Sequence, residues 1–160
     1  MTDIVVRLAE PRDRPHLIEF MAGLQASERE IEADRAAPDE AAVSQLDFVT
    51  ADVASEDGAI FLAELDGKAV GFIICTMQEV RGSYIKPSRR RYGYINDLFV
   101  NEDVRGQGVA EVLMQTAEEH CLARGASHMQ LFVLVGNERA RAFYDRSGWA
   151  PYEIFYRKLT

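Results

Sequence analysis

The residues best placed to do chemistry together lie in VNEDVRGQGVAEVLMQTAEEH, residues 100–120. An apolar, strand-like segment runs into Arg105-Gly106-Gln107-Gly108-Val109-Ala110, and an amphipathic helix follows. Val109, Leu113, Ala117 and Cys121 fall on one face of that helix, while Gln107, Glu111, Gln115 and Glu118 lie elsewhere. The start of a helix presents unpaired N–H groups and a partial positive charge. Glycine lets the backbone wrap those donors around an anion and lets a bulky diphosphate approach closely. Small residues at 106, 108 and 110 therefore suit a phosphate-binding turn, although a tight strand–helix connection would use the same glycines. A dinucleotide fingerprint does not fit, because Glu111 occupies the third glycine position and the turn lies deep in the chain. A P-loop does not fit either, since no Gly-Lys-Ser/Thr follows.

The elements that must position this turn are legible as alternating strands and helices. Ile4 to Ala9 is β-branched and reads as a strand, and Pro11 and Asp13 open a helix carrying Leu17, Ile18, Met21 and Leu24. A second helix carries Val43, Leu46, Val49 and Val53. Asp66-Gly67-Lys68 between AIFLAEL (59–65) and AVGFIICTMQEV (69–80) is a hairpin signal. Strands are expected at 92–100, 128–135 and 153–159, and helices from about Gly108 to Arg124 and from Glu138 to Ser147, the latter stopped by Gly148. A hairpin among alternating elements predicts a mixed α/β fold with a mixed, mostly antiparallel sheet.

Composition narrows the partners. With 18 basic and 26 acidic residues the net charge is -8, which disfavours nucleic acid and favours cations. No apolar run is long enough to span a membrane, and the opening MTDIVVRLAE lacks the layout of a signal peptide. Cys75 and Cys121 form no CxxC pair, which fits core packing in a reducing cytoplasm. Residues 1–160 are expected to form one domain.

Three segments resemble the GCN5-related N-acetyltransferase (GNAT) family. Arg105-x-x-Gly108-x-Ala110 is similar to its R/Q-x-x-G-x-G/A signature, YINDLFV to its fourth strand, and Asn137 to Trp149 to N-x-x-A-x-x-F-Y-x-x-x-G-F, with Trp149 for the usual Phe. The matches cover residues 92–160, which the resemblance makes the cofactor-binding half; residues 1–91 match only in element order and would form the acceptor side. The resemblance implies an acyl-CoA N-acyltransferase fold with a splayed central strand pair and acetyl-coenzyme A as acyl donor, with no metal. It implies cofactor contacts from Leu98, Phe99, Val100, Arg105, Gly106, Gln107, Gly108, Val109, Ala110, Asn137, Ala140 and Phe143. Free backbone groups of Phe99 and Val100 would meet pantetheine, with Val100 the oxyanion donor.

Acetyl transfer to an amine also needs a neutral amine and a proton for the leaving thiolate. Tyr144, at the place where the family carries a Tyr near the sulfur, is the expected acid. Asp97 is a candidate base, acting directly or through water, or else a structural or acceptor-binding carboxylate; simple alternation puts it opposite Asn96 and Leu98. Diamine acetyltransferases carry Glu-Asp where this chain has Asn96-Asp97. His16, His120 and His128 stand in motif-free surroundings.

Glu28 to Asp57 holds ten acids against Arg29 and Arg35, which either steers cationic amines or keeps the surface solvated. The basic stretch Arg81, Lys86, Arg89, Arg90 and Arg91 could meet adenosine phosphates, an acidic acceptor or a partner subunit, or could be a mobile loop. The expected acceptor is a small cationic amine, of polyamine or amino-acid type. The alternatives are an aminoglycoside or protein amine, or a non-catalytic acyl-coenzyme A sensor. A homodimer is left open.

Overall fold

The computed structural model describes residues 3–160. Five strands form one sheet in the order β1-β2-β3-β4-β5, with β1 at Ile4–Leu8, β2 at Ala59–Leu65, β3 at Lys68–Glu79, β4 at Arg91–Val100 and β5 at Met129–Leu131. Neighbours pair antiparallel except β4 and β5, which are parallel. The helices are α1 at Arg14–Ile31, α2 at Pro38–Ser55, α3 at Val109–Ala123 and α4 at Glu138–Arg146. The expected mixed, mostly antiparallel sheet is what forms.

β3 explains the layering. Its run VGFIICTM is apolar almost throughout because both faces are covered. Phe72 and Ile74 point one way, into a core with Phe20, Met21, Leu46 and Val49 of α1 and α2. Ile73, Cys75 and Met77 point the other way, against Val109, Leu113, Ala117 and Cys121 of α3. Period-two alternation of one strand thus serves two helical layers. The β2–β3 turn has positive φ at Asp66 (50°) and Gly67 (81°), the pair of left-handed residues that a twisted two-residue hairpin requires. At the sheet's first edge, Arg7 bonds both Asp13 oxygens (2.7 and 3.0 Å) and Glu64 (2.9 Å), tying β1 to β2 and to the start of α1. Asp13 is buried and also accepts the Glu10 N–H at 2.7 Å, so its carboxyl sits well below the usual range.

Two expectations about strands are corrected. The strand expected at 128–135 is only Met129–Leu131, and 153–159, expected to close the sheet, forms no strand. An extended segment needs a hydrogen-bonded neighbour to persist as a strand. Residues 132–135 lose theirs because β4 diverges from β5 after the pair Ile95–Leu131. Residues 150–160 find none, and no backbone hydrogen bond ties them to the rest of the described chain.

Two residues before the divergence the packing is tight. Gly93 pairs with Met129, and a Cβ added there would lie 2.4 Å from Met129 Sδ and 2.6 Å from Cys121 Cβ. Gly93→Ala should therefore lower stability by roughly 1–3 kcal/mol through overpacking. Urea unfolding tests this, and an unchanged midpoint would mean that the β4–β5–α3 junction has room to relax.

Candidate active site

An open cleft forms between the diverging ends of β4 and β5, floored by the starts of α3 and α4. Its construction begins with a bulge in β4. Ile74 stands opposite Asp97 and Cys75 opposite Ile95, so Asn96 is an extra residue without a partner on β3. The bulge corrects the expected alternation. Asn96 Oδ1 accepts from the Thr76 hydroxyl at 3.0 Å, and Asp97 pairs with Ile74, so both are directed to the α1–α2 side.

The same bulge reverses which backbone groups face the gap. Gly93 N–H donates toward β5, to the His128 carbonyl at 2.9 Å, whereas Asn101 N–H donates toward β3, to the Val70 carbonyl at 2.8 Å. Counting back by twos from Asn101 turns Phe99 toward β3 and leaves Leu98 and Val100 facing the gap. Val100 and Leu98, rather than Phe99, therefore have free N–H groups there. The Val100 carbonyl is taken by Arg105 Nε at 3.1 Å, which fastens the turn to the end of β4. Phe99 contributes its ring instead, packed 6.0 Å from Phe20 and beneath the Arg105 guanidinium at 5.9 Å.

The turn has the shape its sequence demands. Gly106 and Gly108 adopt φ of 80° and 89°, values that side-chain-bearing residues rarely take. α3 starts without any side-chain hydrogen bond capping it, so its first N–H groups are free for an outside acceptor. Arg105, Gly106, Val109 and Ala110 line the cleft, whereas Gln107 and Gly108, also expected to contact the cofactor, are not among its walls. From α4 come Asn137, Ala140, Phe143 and Tyr144. Asn137 caps that helix through Ala140 N–H at 3.2 Å, which explains Asn at this position, and Gly148 ends it with φ of 86°.

Three features escaped the sequence reading. Arg139 and Arg146 line the cleft along with Arg105; Arg146 lies 5.1 Å from the Phe143 ring and 4.0 Å from Glu111, an acid that lines the same cleft. Glu28 of α1 enters the cleft from the opposite side. The basic stretch 81–91, for which phosphates, an acidic acceptor, a partner subunit or a mobile loop were open readings, does not line the cleft: Arg89 and Arg91 bond the Ser127 and Arg124 carbonyls, and Arg90 bonds that of Ile85. None of His16, His120 and His128 lines the cleft. Among the described residues no group of three or more His, Cys, Asp or Glu is arranged to hold a metal, and no helix is long and apolar enough to cross a membrane.

A second cavity adjoins the first. Met21, Leu24, Gln25, Glu28, Asp34, Arg35 and Asp97 are among its walls, and Leu24, Glu28 and Asp97 belong to both. Gln25 Oε1 is buried there without a hydrogen-bond partner, an acceptor open to a donor from a bound molecule. Asp97 is raised from 3.8 to about 6, first by burial among the cavity walls and then by the Glu28 charge. Tyr144 is pushed up to about 12, by burial and by Glu28, and its ring packs 5.4 Å from Phe143 and 6.1 Å from Trp149. The arrangement thus has an anion cradle at one end, an acidic amide-bearing chamber at the other, and a carboxylate and a phenol at the cleft between them.

Comparison with known proteins identifies the family and the fold. The model of the acetyltransferase (GNAT) family covers residues 18–149. An uncharacterised N-acetyltransferase of Methanocaldococcus jannaschii is 34% identical over 99 residues, 62% of this chain and 42% of that protein. N-alpha-acetyltransferase 30 of Schizosaccharomyces pombe is 34% identical over 97 residues, 61% of each chain. The matched stretches thus span less than two thirds of the length of these relatives. In fold, the chain superposes on a GCN5-related N-acetyltransferase from Ralstonia eutropha with a TM-score of 0.76 at 22% identity, covering 98% of this chain and 99% of that one. With its phosphate-type turn, its divergent strands and a family match over most of its length, the chain belongs to the acetyltransferase (GNAT) family.

Proposed function

We propose that the protein transfers the acetyl group of acetyl-coenzyme A to a primary amine by direct attack in a ternary complex, and that the amine is a small cation of polyamine or amino-acid type. The observation that carries this reading is the meeting of two cavities at Asp97 and Glu28, one suited to an anion and the other to a cation. The donor diphosphate would lie on the first turn of α3, with Arg105, Arg139 and Arg146 around it. Pantetheine would run along the free edge of β4, bonding Leu98 and Val100.

The chemistry follows from those positions. The amine nitrogen attacks the thioester carbonyl carbon, a C–N bond forms, and the C–S bond breaks with its electron pair leaving on sulfur. Val100 N–H is the donor for the oxygen as charge grows on it. The cationic amine gives one proton to solvent to become the neutral nucleophile, and its second proton passes to Asp97, directly or through water, as the C–N bond forms. A carboxylate of pKa about 6 is better matched to this task near neutral pH than one at 3.8. Tyr144 stays protonated, and at about 12 it is a weaker acid than an ordinary thiol of ~8.5. Its hydroxyl therefore stabilises the departing thiolate by a hydrogen bond, and solvent delivers the final proton.

The acidic segment contributes less steering than its ten carboxylates suggest. Asp47 is paired with Arg14, Asp57 with Arg91, Glu32 and Asp34 with Arg157, and Glu28 itself lies 3.5 Å from Arg35. Glu28 and Asp97 are the carboxylates that border both cavities. A peptide α-amine is the second reading, supported by the similarity to the Schizosaccharomyces pombe N-alpha-acetyltransferase. A panel of polyamines, amino acids, aminoglycosides and short peptides, followed by thiol release and product mass, separates the readings. No thiol release with any amine would leave an acyl-coenzyme A sensor.

Three outcomes test the assignments. Tyr144→Phe should lower turnover by roughly 10- to 10²-fold, the worth of a hydrogen bond to a charged group, with acetyl-coenzyme A affinity nearly unchanged. Turnover close to wild type in the folded variant returns Tyr144 to a packing role.

For Asp97 the raised value sets the sign. Between pH about 4 and 6 the native state holds the proton more tightly than the unfolded chain, so stability falls as pH rises through this window. Asp97→Asn should thus stabilise the protein at pH 7 by about 1–2 kcal/mol, a figure reduced for partial exposure, with no gain below pH 4. The same variant should lose the rise in kcat/KM centred near pH 6. A surviving rise would pass the base role to another group.

Salt is the third lever. Raising ionic strength should lower kcat/KM for cationic acceptors and leave neutral ones nearly unaffected, because the Debye length falls to ~8 Å at physiological salt. Equal dependence for both would remove the electrostatic argument for a cationic acceptor.

A further inference from the structure

The inward face of α1 is apolar until it reaches the acceptor chamber. Leu17, Phe20 and Met21 are buried against the sheet and α2. Gln25 stands one helical turn after Met21, on the same face, where the pattern calls for another apolar side chain. It forms part of the chamber wall, and its Oε1 is buried without a hydrogen-bond partner among the described residues. A buried acceptor left unpaired costs the fold stability. Leucine or methionine would fill the position without that cost, so the amide points to a donor that a bound molecule brings.

The charge of the walls selects the kind of donor. Glu28, Asp34 and Asp97 line the chamber, with Arg35 the one cation among its described residues. Arg35 bonds Asp34 at 2.7 Å and reaches Glu28 only at 3.5 Å. The chamber therefore favours a group that donates and stays positive. The reacting nitrogen of the acceptor is not that group. It must lie by Asp97, where the chamber opens into the cleft, and it must lose its charge to attack the thioester. Gln25 lines the chamber and not the cleft, so its partner sits further in. We infer that Gln25 is a specificity-determining residue, accepting a hydrogen bond from a second ammonium of the acceptor, and that the acceptor is a diamine or longer polyamine rather than a monoamine or an amino acid. Glu28, on the next turn of α1, supplies charge to the same group, while the Gln25 carbonyl supplies direction. The inference rests on the reading of this chamber as the acceptor site.

Calorimetric titration of the full chain with coenzyme A present needs no turnover, and so tests Gln25 apart from the acetylation reading. Putrescine and butylamine share a carbon chain and differ in the second ammonium; cadaverine and pentylamine form a longer pair. The wild type should prefer the diamine of at least one pair by about tenfold or more. Gln25→Leu should weaken binding of that diamine by roughly 10- to 10²-fold, the worth of a hydrogen bond to a charged group, and leave the monoamine nearly unchanged. Its urea midpoint should equal or exceed that of the wild type, because an unpaired buried acceptor has been removed. Gln25→Glu keeps an acceptor oxygen in the same place and should keep the preference. In turnover, the loss in Gln25→Leu should fall on KM for the diamine rather than on kcat. Absence of acetylation with every amine would overturn the proposed function, while the binding preference would still decide the role of Gln25. Equal affinity for both members of each pair, an undiminished preference in Gln25→Leu, or a lost preference in Gln25→Glu would each overturn the inference. So would a lowered urea midpoint in Gln25→Leu, which would make the amide part of the fold's own hydrogen bonding.

Discussion

Beyond Ile95, β4 has a neighbour on one side only, and the chain tolerates that loss because of one extra residue. Unpaired backbone groups are costly when buried, so a gap between central strands persists only if something else meets its donors and acceptors. Asn96 is the device that opens the gap. Held by Thr76, it shifts the strand by one position, turns the Leu98 and Val100 amides outward, and brings Asp97 to the side where α1 supplies Glu28. The cleft, its free amides and its acidic boundary thus arise together from a single bulge.

The end of the gap is organised by α3. A helix that begins on two left-handed glycines, without a side-chain cap, keeps its partial positive charge available in the direction of the cleft. Arg105 serves this arrangement twice, closing the Val100 carbonyl and covering the Phe99 ring. Phe99 in turn reaches α1: a Cβ on Gly23 would lie 2.6 Å from its ring, so the helix that borders the acceptor cavity rests directly on the strand that borders the donor cleft. The two cavities are joined mechanically as well as electrostatically.

Much of this was legible in the residues. The glycines at 106 and 108, the hairpin at Asp66-Gly67 and most of the apolar faces of α1 to α3 follow from local rules, and the observed elements match them to within a residue or two, although on α2 it is Ala42 that is buried and Val43 that is exposed. What was not legible depended on contacts between distant segments. The bulge at Asn96 cannot be read from β4 alone, because it exists only against the register of β3, and simple alternation therefore misdirected Asp97. Glu28 was one acid among ten until the fold placed it against Asp97. The segments 132–135 and 153–159 have strand composition, yet composition does not supply a partner, and neither forms a ladder within the chain.

The cluster of Arg7, Asp13 and Glu64 lies far from the cleft in sequence, but β1 does not end there. Ile4, three residues before Arg7, is the nearest side chain to Gly108, 3.9 Å from where a Cβ would stand. The turn's footing is thus a strand whose attachment rests on an ionised Asp13. A carboxyl held low contributes stability above its unfolded value near 3.8, and the contribution is lost as pH falls through its lower folded value. In acid the sheet would release its first edge before its centre, and the anion cradle would lose its footing while the core around β3 remained closed. Sensitivity of this protein to acid is, in that sense, a matter of anchorage at its margin rather than of chemistry at its middle.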